Sequence, residues 1–232
     1  MKLKDLIQDL EILEIKGRDD IEIRGISQNS KTVQKDYLFV CIDGFVRDGH
    51  RFIPEAIQKG AKAVLIQKNV PFDLQDITSI LVKDTRKALA LLANRYYGFP
   101  THDLTLIGIT GTNGKTTVAY MLKSIFEESH KKVGLLTTVE NVIDHQAVTS
   151  KMTTMESIDL QRSFSEMRAC KTDIAIMEVS SHSLSLSRVE GCDFDLAIFT
   201  NISDEHFEIH ENFENYLASK KKLFQSLGSS QK

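Results

Sequence analysis

Residues Gly111-Thr112-Asn113-Gly114-Lys115-Thr116-Thr117 gather two glycines, a lysine and several hydroxyls into one short stretch. That set suits a phosphate chain. Glycines let backbone N–H groups approach phosphate oxygens, a lysine adds a point charge, and a threonine hydroxyl is a hard oxygen ligand for Mg²⁺. Lys115 is expected to reach the β- and γ-phosphates of a nucleotide, and Thr116 to hold the cation. The spacing departs from the usual phosphate loop, because Ile109 stands where its first glycine belongs. A plain glycine-rich turn is the alternative. The apolar run before the stretch (104–110) and the amphipathic pattern after it (116–128) favour the nucleotide loop.

Three more residues draw attention by position. Glu178 closes the apolar run 174–179, where a carboxylate suits Mg²⁺; a strand-end ion pair explains it equally well. His206 ends the polar cluster Asn201-Ile202-Ser203-Asp204-Glu205-His206 after the run 194–200. It reads as a metal or phosphate contact, or as a surface or capping residue. Lys220 shares helical spacing with Phe213, Tyr216, Leu217, Leu223, Phe224 and Leu227, which puts it on the apolar face. A buried ammonium is costly, and burial beside Lys221 and Lys222 favours the neutral amine, which can add CO₂ to give a Mg²⁺-binding carbamate. On pattern alone the preferred reading is a lysine whose head reaches out to water.

The elements that must position these residues follow from periodicity. Apolar runs at 104–110, 133–138, 174–179 and 194–200 alternate with helical patterns, which predicts a parallel sheet of βαβ units. Ligands of such sheets sit outside the carboxyl ends of the strands. In the helix at 116–128, Val118, Met121, Leu122, Ile125 and Phe126 are expected on one face. A first segment, residues 1–99, precedes a boundary at Gly98-Phe99-Pro100. It alternates strand-like runs (21–26, 37–42, 63–67, 79–82) with helical patterns (54–60, 85–97), after a short amphipathic helix in MKLKDLIQDLEIL. The second domain is taken as 100–232.

Bulk properties exclude some functions. With 232 residues, 41% hydrophobic and 26% charged, the chain has the composition of an ordinary soluble globular protein, and the alternation above makes its expected fold class α/β. A net charge of −3 offers no broad attraction to nucleic acid or an anionic membrane. No apolar run approaches the ~20 residues that span a bilayer. Cys41, Cys170 and Cys192 form no close pair, which fits structural thiols in a reducing compartment. The expected location is cytoplasmic, and oligomeric state has no sequence signal.

The chain resembles the Mur ligases, and within them the MurE-type branch. In the first domain, Ile26-Ser27-Gln28-Asn29-Ser30-Lys31-Thr32-Val33, Asp36-Tyr37-Leu38-Phe39-Val40, Gly44 and Asp48-Gly49-His50-Arg51-Phe52-Ile53 are similar to the family's uridine-nucleotide stretch. In the second, Thr110 to Thr117, Thr153-Thr154, and Met177-Glu178-Val179-Ser180-Ser181-His182 with Arg188-Val189 resemble its ATP and substrate motifs. Folylpolyglutamate synthases share the glycine-rich loop without the first domain, and MurF-type ligases lack the Glu-Val-Ser-Ser-His segment.

The resemblance implies ATP around Gly111 to Thr117 and Mg²⁺ on Thr116, Glu178, His206 and a carbamylated Lys220. It implies a UDP-MurNAc-dipeptide contacted by Ser30, Thr153, Thr154, Ser180 and Arg188. It also implies the addition of meso-diaminopimelate or L-lysine through an acyl phosphate. Asn29, Met152, Met155, Leu186, Glu205 and Glu208 depart from the family's usual residues. The resemblance further implies that the end of the central domain and an amino-acid-binding C-terminal domain lie outside these 232 residues. A non-catalytic nucleotide or UDP-sugar-binding module derived from such a ligase is the second expectation.

Overall fold

The computed structural model describes residues 1–203 and 212–227. It divides into two compact units, residues 1–96 and 97–232, each an α/β sandwich around a sheet rich in parallel strands.

Unit 1 is built on a five-stranded sheet in the order β1-β5-β4-β3-β2. Its strands are β1 (Ile12–Lys16), β2 (Gly25–Ser27), β3 (Tyr37–Val40), β4 (Ala61–Ile66) and β5 (Thr78–Val82). Four run parallel, and β1 pairs antiparallel with β5. The parallel strands are buried nearly end to end, as expected where both faces are covered. Helix α1 is only Leu3–Leu6, α2 is Ile53–Gln58 and α3 is Thr85–Tyr96. Two expectations fail here. The opening helix stops after one turn, and 12–16 is a strand, because ILEIK carries two β-branched residues, Ile12 and Ile15, and its partner β5 offers an edge. The expected strand 21–26 shrinks to Gly25–Ser27, with Glu22 making only an isolated bridge to Lys2.

Unit 2 carries a six-stranded sheet in the order β11-β6-β10-β7-β8-β9. The members are β6 (Thr105–Thr110), β7 (Val133–Leu136), β8 (Glu140–Ile143), β9 (Gln146–Thr149), β10 (Ile174–Glu178) and β11 (Leu196–Phe199). The four strands foreseen by pattern are parallel, so their carboxyl ends share one rim. Alternation sends Leu106, Leu136, Ala175 and Met177 into one core and Ile107, Ile109, Val133, Leu135, Ile174 and Ile176 into the other. Helix α4 (Lys115–Glu128) covers the second face; α5 (Ser157–Ala169), α6 (Ser181–Ser185) and α7 (Phe213–Gln225) belong with the first.

Both helix faces read from spacing need rotation. In α4 the stripe centres on Ala119, Leu122 and Phe126, leaving Met121 and Ile125 60% exposed. In α7 it centres on Tyr216, Ser219, Lys220 and Leu223, and Phe224 sits at its edge, stacked edge-on against Phe199. The β8–β9 hairpin was not foreseen. Its turn is Asp144-His145, both with positive φ (49° and 63°), the conformation a two-residue hairpin requires.

Candidate nucleotide and metal site

The glycine-rich loop joins β6 to α4 on the rim of unit 2. Gly111 has φ +146°, and a Cβ there would lie 1.9 Å from Thr200 Oγ1 and 3.0 Å from the Asn201 carbonyl. Only glycine lets the loop pass so close to the end of β11. The segment after β11 then pins it. Thr112 N–H donates to the Asn201 carbonyl (2.9 Å), and Asn113 N–H to Asn201 Oδ1 (3.0 Å). Thr200 Oγ1 and Asn201 Nδ2 donate to the Asn113 carbonyl at 2.7 and 3.1 Å. Gly114, at φ +82°, turns the chain into α4, and no side chain caps that helix. First-turn N–H groups have no intrahelical acceptor, and with the helix dipole they make this end attractive to an anion.

Lys115 folds over the loop, its Nζ donating to the carbonyls of Gly111 (3.0 Å) and Thr112 (2.8 Å). At the next position, Thr116 Oγ1 donates to Glu178 Oε1 at 2.8 Å. Glu178 ends β10 and is 1% exposed. The two oxygens fit a hard cation: the threonine proton points at the carboxylate, so its lone pairs and the remaining carboxylate acceptor are left to a metal. Among the described residues no cluster of three or more His, Cys, Asp or Glu is poised to hold a metal. Thr116 Oγ1 and the Glu178 carboxylate are the oxygens that the described residues offer a cation here.

Beside this pair lies a cavity of about 330 Å³, lined in part by Gly111, Lys115, Thr153, Thr154, Ser180, Arg188 and Lys220. Thr154 Oγ1 donates to the Glu178 carbonyl (3.0 Å) and accepts from Ser180 N–H (3.1 Å). Ser180 caps α6 by accepting from Ser183 N–H (3.1 Å). Arg188 reaches across to the Thr154 carbonyl (3.3 Å) and to Glu156, with its Nε buried and lacking a hydrogen-bond partner. Met152 also lines the cavity.

Lys220 does not reach water. It is 2% exposed, its Nζ donates to the Gly111 carbonyl at 2.8 Å, and it lies 4.4 Å from the centroid of the Tyr216 ring. Tyr216 OH is in turn 3.0 Å from Thr112 Oγ1. The pattern-only preference for an outward lysine fails because Tyr216, Ser219 and Leu223 turn its face inward and the loop carbonyl offers it a partner.

Most residues singled out by sequence thus meet within unit 2. Ser30 belongs to unit 1, where it is 7% exposed and donates to Glu55 Oε2 at 2.6 Å. His206 lies outside the described residues. Sequence reasoning passed over Thr138, Asn201 as the loop's anchor, and Tyr216 as a polar group rather than an apolar one. Thr138 and Asn201 each follow a strand, so the strand-end rule could have flagged them.

Family comparisons fit this geometry. The description "Mur ligase middle domain" matches residues 109–232, and "Mur ligase family, catalytic domain" matches residues 22–97. The chain belongs to the Mur ligase family. It is 48% identical over 224 residues to the UDP-N-acetylmuramoyl-L-alanyl-D-glutamate–2,6-diaminopimelate ligase of Alkaliphilus metalliredigens (strain QYMF), covering 97% of this chain and 45% of the relative. The ligase of the same description from Caldanaerobacter subterraneus subsp. tengcongensis is 46% identical, with 97% and 46% covered. A solved structure of a ligase of that description superimposes with a TM-score of 0.80 at 24% identity, over 98% of this chain and 46% of that one. The Mur ligase fold therefore extends through both units, and the chain spans about half the length of the curated relatives it matches.

Proposed function

We propose that this chain supplies the nucleotide-binding and precursor-binding parts of an ATP-dependent, MurE-type ligase. The substrate is UDP-MurNAc-L-Ala-D-Glu, and the names of the two relatives point to 2,6-diaminopimelate as the amino acid added. The observation that carries the reading is the buried Glu178 carboxylate, held by Thr116 of the loop and abutting the cavity of Thr153, Thr154, Ser180 and Arg188.

In this reading the loop and the α4 N-terminus hold the triphosphate, and Lys115 swings from its loop carbonyls to the β- and γ-phosphates. A bound Mg²⁺ would supply charge withdrawal from the phosphoryl group. Thr116 and Glu178 would hold it, with His206 and a carbamylated Lys220 as further ligands. Arg188, Ser180 and the Thr153-Thr154 pair orient the precursor in the cavity, with Ser30 on its uridine side. The D-Glu carboxylate attacks the γ-phosphorus and ADP leaves, giving an acyl phosphate. The amine of the diamino acid then attacks the acyl carbon, and phosphate leaves as the amide forms. No protein nucleophile takes part; positioning and electrostatics carry the barrier reduction.

The test is ADP release and tripeptide formation from ATP, Mg²⁺, the UDP-dipeptide and each diamino acid, for this chain and for any longer polypeptide encoded with it. Tripeptide from the longer polypeptide, with 2,6-diaminopimelate preferred, is the expected result. A longer polypeptide that makes none would defeat the proposal. Lysine density without a carbamate at position 220, in crystals grown with ample CO₂, would remove Lys220 from the metal set.

A further inference from the structure

Thr138 follows β7 on the strand rim, and none of the motifs above includes it. Its backbone N–H donates to Glu178 Oε1 at 3.0 Å, and its hydroxyl reaches Glu178 Oε2 at 3.2 Å. Thr116 takes Oε1 as well, at 2.8 Å. A carboxylate offers about four lone-pair positions. These donors fill two on Oε1 and one on Oε2, which leaves one place on Oε2. Glu178 is buried on its strand, so its direction is set by these donors and not by water. The Thr138 hydroxyl also lies 3.1 Å from Thr153 Oγ1 in the cavity wall, which steadies its rotamer from the other side.

Resting on the Mg–nucleotide reading above, the geometry points to Thr138 as the positioning residue of the cation site. It holds the Glu178 carboxylate so that the remaining Oε2 lone pair faces the metal that accompanies the nucleotide. Without the hydroxyl, one donor on Oε2 is gone and the carboxylate can rotate about its last bond toward the Thr116 and Thr138 N–H donors on Oε1. The metal then meets a carboxylate that must be turned back. The Thr138 side chain is exposed on the rim, so changing it leaves the core intact.

The experiment measures nucleotide binding as free Mg²⁺ is raised, for wild type, Thr138→Val and Thr138→Ser. A hydrogen bond to a charged group is among the stronger ones. Thr138→Val is expected to raise the half-saturating Mg²⁺ concentration about tenfold, with nucleotide affinity at saturating Mg²⁺ and the melting temperature unchanged. Thr138→Ser is expected to restore the wild-type value. An unchanged Mg²⁺ midpoint in the valine variant overturns the inference. So does a loss of nucleotide affinity that no Mg²⁺ concentration restores, which would mark a general role in shaping the loop. If the wild-type chain binds no nucleotide at all, the proposed function falls and the inference with it.

Discussion

Glu178 is where charge, burial and hydrogen bonding converge, and its chemistry can be separated from its shape. Glu178→Gln keeps the side-chain volume and an acceptor for Thr116 while removing the negative charge. We expect nucleotide affinity in Mg²⁺ to fall tenfold or more, with little change in EDTA, measured by titration of a fluorescent ATP analogue. A second residue-scale prediction concerns Asp48 in unit 1. Burial raises its pKa, but hydrogen bonds from Lys68 and His50 outweigh that and hold the carboxyl well below its usual range. His50 Nε2 accepts from Gln67 N–H (3.1 Å), so Nδ1 carries the proton that Asp48 accepts at 2.6 Å. A lowered carboxylate pKa gives stability that is full above the unfolded value of about 3.9 and is lost as pH falls through the folded one. Asp48→Ala should cost about 1–3 kcal/mol at neutral pH, because buried His50 loses its acceptor. It should also flatten the acid limb of stability below about pH 4, the unfolded value, as read by urea melts. Lys115, Thr116 and Glu178 were legible because glycine spacing and strand ends mark them. Thr138 was passed over: the strand-end rule reaches its position, but its part shows only once the carboxylate it faces is known.

At the scale of elements, the loop divides its two positive-φ glycines by function. At Gly111 an added methyl collides with Thr200 and Asn201, whereas at Gly114 nothing lies within 4 Å. Gly111→Ala should therefore both destabilise unit 2, by about 1–3 kcal/mol, and abolish nucleotide binding, because the loop must leave its anchor on Asn201. Gly114→Ala should cost only the left-handed backbone strain, about 1–2 kcal/mol, and retain measurable binding. Equal losses in both variants, by thermal melts and nucleotide titration, would mean the Asn201 anchor is unimportant. The parallel strands were legible because burial on both faces leaves continuous apolar runs. Strand β1 was not, since Ile12–Lys16 alternates like an amphipathic helix turn and only pairing with β5 decides it. The α4 and α7 stripes were found but misaligned, because spacing gives a period and tertiary contacts choose its centre.

Over the whole chain, composition read as that of an ordinary globular protein and the alternation of apolar runs read as α/β, and no helix among the described residues is long and apolar enough to cross a membrane. The family's two-part pattern maps onto two compact units, and what the ligase reading needs from unit 2 is one functional claim: a Mg²⁺-dependent nucleotide site at the junction of β6, α4 and β10. Calorimetric titration of ATP and Mg²⁺ into this chain, beside its Lys115→Ala variant, tests that claim most directly. One nucleotide is expected to bind per chain, with Mg²⁺ strengthening the binding and Lys115→Ala weakening it at least tenfold (about 1.4 kcal/mol). Binding that ignores both Mg²⁺ and Lys115, or no binding at all, would contradict it.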